Sequence, residues 1–203
     1  MSDPDPKPVR GRPRTMNNDD VLDVAMAAYW QGDPADVSVN AITELAGISK
    51  PSLYREFGSE DGLKLAVLDR YAAQVLSDLF VLLHSGKTLR ETLKALIDFA
   101  SADPRMETGC VFYKMRAGKH RLGPKTRARV EAIDRAGQAA FAAFLQSRLD
   151  AGDWQGGLSV AAGARYLGEQ IALAITQRAA GEDKAVIREM LTLALSVFTQ
   201  ARA

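Results

Sequence analysis

The sequence predicts an all-α protein of about nine helices, with a small N-terminal head and a larger C-terminal helical domain. Three observations favour this fold class. Hydrophobic residues make up 47% of the 203 residues, and most are alanine or aliphatic types that favour helices over strands. Apolar residues recur at three- and four-residue steps through most of the chain. Glycine, proline and helix-capping residues separate these periodic segments.

The first segment, residues 1–16, is rich in proline and lacks apolar periodicity, so we expect a disordered basic arm. Arg12 and Arg14 could reach along a DNA duplex or into its minor groove. The alternative is a solvated basic tail that makes no defined contact with DNA, and the sequence is compatible with both. After the arm, Asn17 or Asn18 is expected to cap the first helix, which ends before a Gly-Asp-Pro turn.

The most informative stretch is residues 37–63. Ser38 is expected to cap a short helix, whose apolar stripe comprises Val39, Ile42 and Leu45. Gly47 can then adopt the left-handed conformation that closes a helix, so the chain turns sharply. Ser49 is expected to cap a second short helix over residues 50–57. Two short helices joined by a glycine turn are the plan of a helix-turn-helix, whose second helix enters the major groove of DNA.

These residues resemble the DNA-binding domain of the TetR (tetracycline-repressor) family of bacterial transcriptional regulators. The segments that carry the resemblance are Leu45–Ser49, Ser52–Tyr54, Phe57–Ser59 and Gly62-Leu63. It implies a helix-turn-helix domain over residues 17–71 and a ligand-binding and dimerisation domain over residues 72–203, where only the helical layout is similar. Many family members have a lysine where this chain has Glu60, at a position that would face a phosphate. Lys64, one turn later, is the candidate replacement.

The second helix of the motif supplies most of the candidate DNA contacts. Lys50 and Arg55 could donate to guanine edges or to phosphates, and the sequence leaves both alternatives open. Tyr54 is similar to the family tyrosine that binds a backbone phosphate, whereas Leu53 and Phe57 are expected to face the core of the head. The predicted DNA-binding set is Arg12, Arg14, Ser38, Lys50, Ser52, Tyr54, Arg55 and Lys64.

Charge is unevenly distributed along the chain. Residues 1–70 hold eight basic and twelve acidic side chains, although the whole chain has a net charge of +1. A net acidic head does not favour non-specific DNA binding. However, four of its basic residues lie in the arm and two in the second helix of the motif. Local placement of charge decides which surface enters a groove.

The remaining helices follow from periodicity and capping residues. A long helix is expected from Glu60 to about His84, and a Thr88–Glu91 capping box opens the next one. Further helices are predicted over residues 109–117, 124–150, 158–180 and 183–201. The last two are apolar on more than one side, which favours a four-helix interface with a second subunit over a purely internal pair. The resemblance implies the same homodimer.

The resemblance also implies a small-molecule effector held among the central helices. Candidate pocket residues, of which most are expected to be ordinary core, are Phe80, Phe99, Cys110, Tyr113, Phe141, Phe144, Tyr166 and Gln170. A dense basic run follows, comprising Lys114, Arg116, Lys119, His120, Arg121, Lys125, Arg127 and Arg129. It is either a solvated loop and helix start or an entry that favours an anionic effector, such as a carboxylate or an acyl thioester.

Other classes of function have little support in the sequence. The single cysteine excludes an intramolecular disulfide, and no signal peptide or membrane-spanning run is present, so we expect a cytoplasmic protein with no membrane association. His84, Cys110 and His120 lack the spacing of metal ligands, and no metal or cofactor is expected. An all-helical enzyme would show a phosphate loop or a nucleophile motif, and neither occurs. A helical protein-binding adaptor would leave the basic residues of the motif unexplained.

Overall fold

Helices form all the regular structure in the part of the chain that the computed structural model describes, residues 17–155 and 157–200. The expected all-α fold class is therefore confirmed. The predicted arm at residues 1–16, with Arg12 and Arg14, lies outside the described residues.

The head contains three helices, α1 (Asn18–Gln31), α2 (Val39–Ala46) and α3 (Lys50–Phe57). The hydroxyls of the predicted caps, Ser38 and Ser49, each accept the backbone N–H three residues on, at 3.2 and 3.3 Å. Between these helices Gly47 has a φ of 63°, the left-handed conformation that a side chain would strain. The helix-turn-helix geometry thus forms from local capping and one glycine turn. Asn17 precedes α1, but its side chain makes no capping bond.

The apolar stripe predicted for α2 is wrong at one residue. Val39, Ile42 and Ala46 are buried, whereas Leu45 is 67% exposed. Each three-residue step falls about 60° short of a full helical turn. A second such step therefore carries Leu45 away from the core, and the four-residue step to Ala46 returns to it.

A long rod connects the head to the rest of the molecule. It comprises α4 (Glu60–Tyr71), a π-helical turn (Ala72–Leu76) and α5 (Ser77–Leu83). In the π-helical turn the N–H of Ser77 donates to the carbonyl of Ala72, five residues earlier. If the rod is counted as one helix, the described part of the chain contains nine α-helices in total.

The C-terminal domain, or body, packs around this rod. Its helices are α6 (Leu89–Ala102), α7 (Val111–Ala117), α8 (Pro124–Asp150), α9 (Val160–Ala179) and α10 (Lys184–Leu195). Short 3-10 segments cover Pro104–Met106, Lys119–Arg121 and Ser196–Phe198. The helix α8 packs on α4 and α9, and α10 packs on α6 and α9. One continuous apolar core joins head and body.

Helix boundaries differ from the expected ones mainly at C-terminal ends and short segments. The predicted capping box at Thr88 forms both of its hydrogen bonds with Glu91. The last helix ends at Leu195 and continues as a 3-10 turn to Phe198, short of the predicted end. Within the described ranges, no helix is both long and apolar enough to cross a membrane.

Candidate nucleic-acid interface and cavities

The outer face of α3 presents three of the predicted DNA contacts. Leu53 is fully buried in the head, and Phe57 packs against the same core, as expected. Lys50 and Arg55 lie exposed on the opposite side, with Tyr54 40% exposed beside them. This arrangement follows from the helical period, because burial of Leu53 turns its neighbours outward.

The polar groups of this face are not used within the protein. Among residues 17–155 and 157–200, no side chain or backbone group hydrogen-bonds or ion-pairs with the side chains of Lys50, Tyr54 and Arg55. Their donors are therefore available to an external partner. Ser52 is only half-exposed, and its hydroxyl lies 2.9 Å from that of Ser49, so part of its hydrogen-bonding capacity is used in the cap.

Lys64 has a different position from the predicted one. Its side chain is only 6% exposed, and its Nζ lies 2.6 Å from Oε1 of Glu60 one turn earlier. A phosphate contact would require Lys64 to leave both Glu60 and its buried position. Breaking a buried ion pair costs free energy, because the remaining charge is left uncompensated. Lys64 is therefore not available for a phosphate contact in this arrangement of α4. Glu60, half-exposed at the start of α4, leaves a carboxylate where the resemblance implies a cation.

Asp61 joins the head to the body at the start of α8. Its carboxylate accepts the backbone N–H groups of Lys125 and Thr126 at 2.9 and 3.0 Å, and the Thr126 hydroxyl at 2.6 Å. A Cβ on Gly123 would lie only 2.3 Å from Cγ of Asp61, so this close approach requires glycine. The first turn of the rod, directly after the head, therefore caps the longest helix of the body.

Further ties between head and body use the basic run. The Nε1 of Trp30 donates to the carbonyl of Gly109 at 2.7 Å. Lys114 donates to the carbonyls of Trp30 and Gly32, at 3.2 Å for the latter. Two more basic residues form ion pairs outside the body: Arg121 with Asp36 on the head, and Arg129 with Asp69 on the rod at 2.6 Å.

The rest of the basic run is also largely paired, within the body. Arg116 binds Asp134 and Glu169 at 3.0 and 2.8 Å, and Lys119 lies 3.5 Å from Glu131. Neither expectation for this run, a solvated loop or an open anion entry, describes most of its members. The carboxylates that pair with it lie too far away in sequence for periodicity to reveal them.

Replacing Asp61 with asparagine is expected to destabilise the protein by about 1–2 kcal/mol at neutral pH, because the amide is a weaker cap than the carboxylate. Burial acts to raise the pKa of Asp61, but the hydrogen bonds from Thr126 and Lys125 outweigh it and hold the pKa below its ordinary value. A carboxyl group with a depressed pKa stabilises the fold above its unfolded pKa, and this contribution disappears as the pH falls through the folded value.

The measurement is urea unfolding of the wild type and Asp61→Asn at neutral pH and at pH values below the ordinary carboxyl range. We expect the difference between them to shrink as the pH falls. Glu107→Gln is the matched control, because Glu107 is exposed and has no side-chain partner among the described residues. A stability difference that stayed constant across this pH range would contradict the assigned role of Asp61.

A narrow cavity, the core cavity, lies between the rod, α7, α8 and α9. It brings together three of the predicted pocket residues, Phe80, Tyr113 and Phe141, with Arg116 and Gln138 as polar lining. The other predicted pocket residues do not line it. Its volume of about 40 Å³ holds only two or three water molecules by the usual packing requirement.

The remaining predicted pocket residues have other positions. Phe144 is buried core, Phe99 packs against the core, and the Tyr166 hydroxyl donates to the carbonyl of Ala194 at 3.1 Å. Gln170 lies in an outer groove between α9 and α10. Cys110 is buried and accepts a hydrogen bond from the Tyr71 hydroxyl at 3.2 Å, and burial raises the pKa of its thiol.

A larger opening, the junction crevice, separates the end of α1 from α7 and α9. Its volume is about 590 Å³, and its walls include Gln31, Asp33, Tyr113, Lys114, Ala117 and Ala179. Two of the predicted pocket residues, Cys110 and Tyr113, line this crevice. Its opposite side could not be predicted, because the two sides come from segments about eighty residues or more apart. Tyr113 lines both openings and forms part of the wall between them.

An apolar surface, the outer face of α9 and α10, is exposed on the body. Its large members are Leu173, Val186, Met190, Leu193 and Val197, each more than 40% exposed. On α10 and the 3-10 turn that follows it, they are spaced by four, three and four residues, so they form one stripe. A contiguous exposed apolar stripe indicates an interaction surface.

No group of three or more histidine, cysteine, aspartate or glutamate residues in the described segments has the geometry to hold a metal ion.

The head is similar in sequence to known regulators. Residues 21–67 match the family model described as "Bacterial regulatory proteins, tetR family". The chain is 43% identical over 65 residues to the HTH-type transcriptional repressor ComR of Escherichia coli K12, covering 32% of this chain and 31% of ComR. It is 30% identical over 119 residues to the repressor BdcR of the same organism, covering 59% of this chain and 60% of BdcR. The chain therefore spans less than two thirds of either relative.

The whole chain is similar in fold to solved regulators. A cysteine variant of the TetR family transcriptional regulator CifR, in complex with a 26-base-pair operator duplex, superposes with a TM-score of 0.77. The match covers 93% of this chain and 100% of CifR at 21% identity. At this identity the likeness establishes the shared helical architecture of head and body.

Proposed function

We propose that this chain, whose residues 21–67 match the family model of tetR bacterial regulatory proteins, is a ligand-responsive transcriptional repressor of that family. It binds a palindromic DNA operator as a homodimer, and a small-molecule effector releases it. The observation that carries this proposal is the outer face of α3, where Lys50, Tyr54 and Arg55 are exposed and have no partner among the described residues.

The chemistry of this face suits the major groove. Arginine and lysine donate to guanine O6 and N7 and to phosphates, and a tyrosine hydroxyl donates to phosphate oxygens. Ser38 lies exposed at the N-terminus of α2, where the helix dipole favours a phosphate. Its hydroxyl already caps the helix, so we assign its backbone environment, rather than its side chain, to phosphate binding.

Homodimer formation through the outer face of α9 and α10 would supply the second recognition helix. The exposed stripe from Val186 to Val197, together with Leu173 and Gln170 on α9, is apolar enough to form the core of a four-helix interface. Helix-turn-helix dimers bind half-sites about one duplex turn apart, roughly 34–36 Å. A twofold dimer of this kind requires a palindromic operator.

Control by an effector would act through the contacts between head and body. The head is held by the Asp61 cap, by the contact between Trp30 and Gly109, and by ion pairs from Arg121 and Arg129. A ligand that binds one arrangement of these contacts better than another shifts the population of head positions. We propose that this shift removes the fit of two heads to adjacent grooves.

The test is a selection of bound fragments from sheared genomic DNA by the purified full chain, followed by footprinting of a recovered duplex. We expect a palindrome with two protected half-sites. Affinity should fall steeply with salt, since each phosphate contact contributes a slope of about −0.9 in log K against log salt. A helical adaptor protein would select no DNA sequence. A DNA affinity that did not change with salt concentration would also contradict the proposal.

A further inference from the structure

We propose that the junction crevice binds a small organic monoanion whose remaining part is apolar, and that the anionic group of this ligand pairs with Lys114. The binding itself does not depend on DNA. Its consequence for the head rests on the function proposed above, since it identifies the site and the chemical class of the effector.

The size of the crevice fits a small molecule, whereas the core cavity does not. Ligand pockets typically measure roughly 300–1,000 Å³, and the crevice, at about 590 Å³, lies within that range. The core cavity, at about 40 Å³, would need large side-chain movements before it could accept a ligand. The crevice needs none, because it is already open.

Lys114 gives the crevice a positive charge without an ion-pair partner among the described residues, although the carboxylate of Asp33 is near enough to act to raise its pKa. Its ammonium donates only to the carbonyls of Trp30 and Gly32, and among the described residues no carboxylate lies within ion-pair distance of it. Burial lowers the pKa of Lys114, which marks this charge as partly desolvated. A partly desolvated cation without a counter-ion favours an anion that can reach it.

The charged side chains that line the crevice have a net positive charge. Lys114 and Arg121 contribute two positive charges and Asp33, which lies 3.7 Å from Arg121, one negative charge, whereas Asp36, which binds Arg121, is not among the lining residues. His120 lies exposed at the rim. One anionic group beside Lys114 is therefore the charge that the site can accept, and a dianion would exceed it.

The other walls of the crevice favour a ligand whose uncharged part is apolar. The Tyr113 ring and the methyl groups of Ala117 and Ala179 line the side opposite the head. These groups offer no further charge, so an aliphatic or aromatic group next to the anion gains by leaving water. The ligand class is thus a medium-sized organic acid.

Occupation of the crevice would act directly on the head. The carbonyls of Trp30 and Gly32 lie at the C-terminal end of α1, where a cation compensates unpaired carbonyls and the helix dipole. A carboxylate that pairs with Lys114 withdraws this cation from α1. One of the ties that fix the head on the body is then lost, while the hydrogen bond from Trp30 to Gly109 remains.

The experiment is isothermal titration calorimetry of the full chain, without DNA, using octanoate and its neutral isostere octanamide as probes. We expect saturable octanoate binding and about tenfold weaker binding of octanamide, a ratio that corresponds to about 1.4 kcal/mol. Lys114→Gln should remove this preference. Ala117→Phe, which places a bulky ring in the crevice and keeps the charge of Lys114, should weaken binding of both probes.

Gly137→Leu is the matched control, because Gly137 lines the core cavity and a Cβ there meets no atom within 4 Å. It should leave both affinities unchanged. Circular dichroism of each variant verifies that the helices are intact. Three outcomes would overturn the proposal: equal affinities for the two probes, wild-type octanoate binding by Lys114→Gln, or no saturable signal up to the solubility limit of octanoate.

A second measurement separates this site from the proposed function. Once an operator is recovered, octanoate should weaken operator binding by the wild type and have less effect on Lys114→Gln. If octanoate binds as expected but no operator is found, the repressor proposal fails and the site remains. If the operator is found but octanoate does not bind, only the site is overturned.

Discussion

Replacing Arg55 or Tyr54 with alanine is expected to abolish retention of operator DNA in a gel shift at protein concentrations that saturate the wild type. Each side chain is exposed on the outer face of α3 and has no partner among the described residues. Loss of one specific contact typically costs about 1–3 kcal/mol, or roughly 10- to 100-fold in affinity. Helix content and oligomeric state should not change, because Leu53 still anchors α3 in the core.

Arg135→Ala provides the control for Arg55→Ala. Arg135 is equally exposed and unpartnered among the described residues, but it lies on α8 in the body. Its replacement removes the same charge and should leave operator affinity unchanged apart from a small long-range effect. Wild-type affinity in both the Tyr54 and the Arg55 variants would remove the assignment of α3 as the recognition helix.

Replacing Leu193 with arginine is expected to convert the proposed dimer to monomers and thereby to abolish operator binding. Leu193 is 73% exposed in the single chain and lies on the proposed interface. Burying a leucine contributes about 1.5–3 kcal/mol, and a twofold interface contains every residue twice. The combined loss, with an unpaired charge added, corresponds to at least about 100-fold weaker association. Size-exclusion chromatography with light scattering measures the mass directly.

Val81→Arg is the matched control, since Val81 is 70% exposed but lies on α5. It introduces the same charge on an equally exposed aliphatic residue and should leave the protein dimeric. A dimer that persists in Leu193→Arg would show that the outer face of α9 and α10 is not the subunit interface. A monomeric Val81→Arg would place the interface on the other side of the body.

The features that were predictable from the sequence depend on neighbouring residues. Ser38, Ser49 and Thr88 cap the helices that follow them, because the donor that each satisfies lies two or three residues ahead. Gly47 adopts the conformation that its missing side chain allows. The head was therefore largely predictable. Leu45 was not, since three-residue steps do not keep to one side of a helix.

The features that were not predictable depend on residues distant in sequence. Lys64 looked available for a phosphate, but the packing of α4 buries it beside Glu60. The basic run looked solvated because its partners, such as Asp36 and Asp69, lie on the head and the rod, far away in sequence. Aromatic residues at helical spacing cannot be sorted into core and cavity until the helices are packed, so only three of the eight predicted pocket residues line the core cavity.

The π-helical turn in the rod determines how far α4 is rotated relative to α5 about the axis of the rod. A wide turn holds one more residue than an α-helical turn of the same bonding pattern, and one residue corresponds to about 100° of rotation about a helix axis. The rotation of α4 relative to α5 is therefore set by five residues, Ala72–Leu76. Deleting one of them would turn α4, and with it α3, against the body, and contacts such as the hydrogen bond from Trp30 to Gly109 could then not form together with the packing of α5.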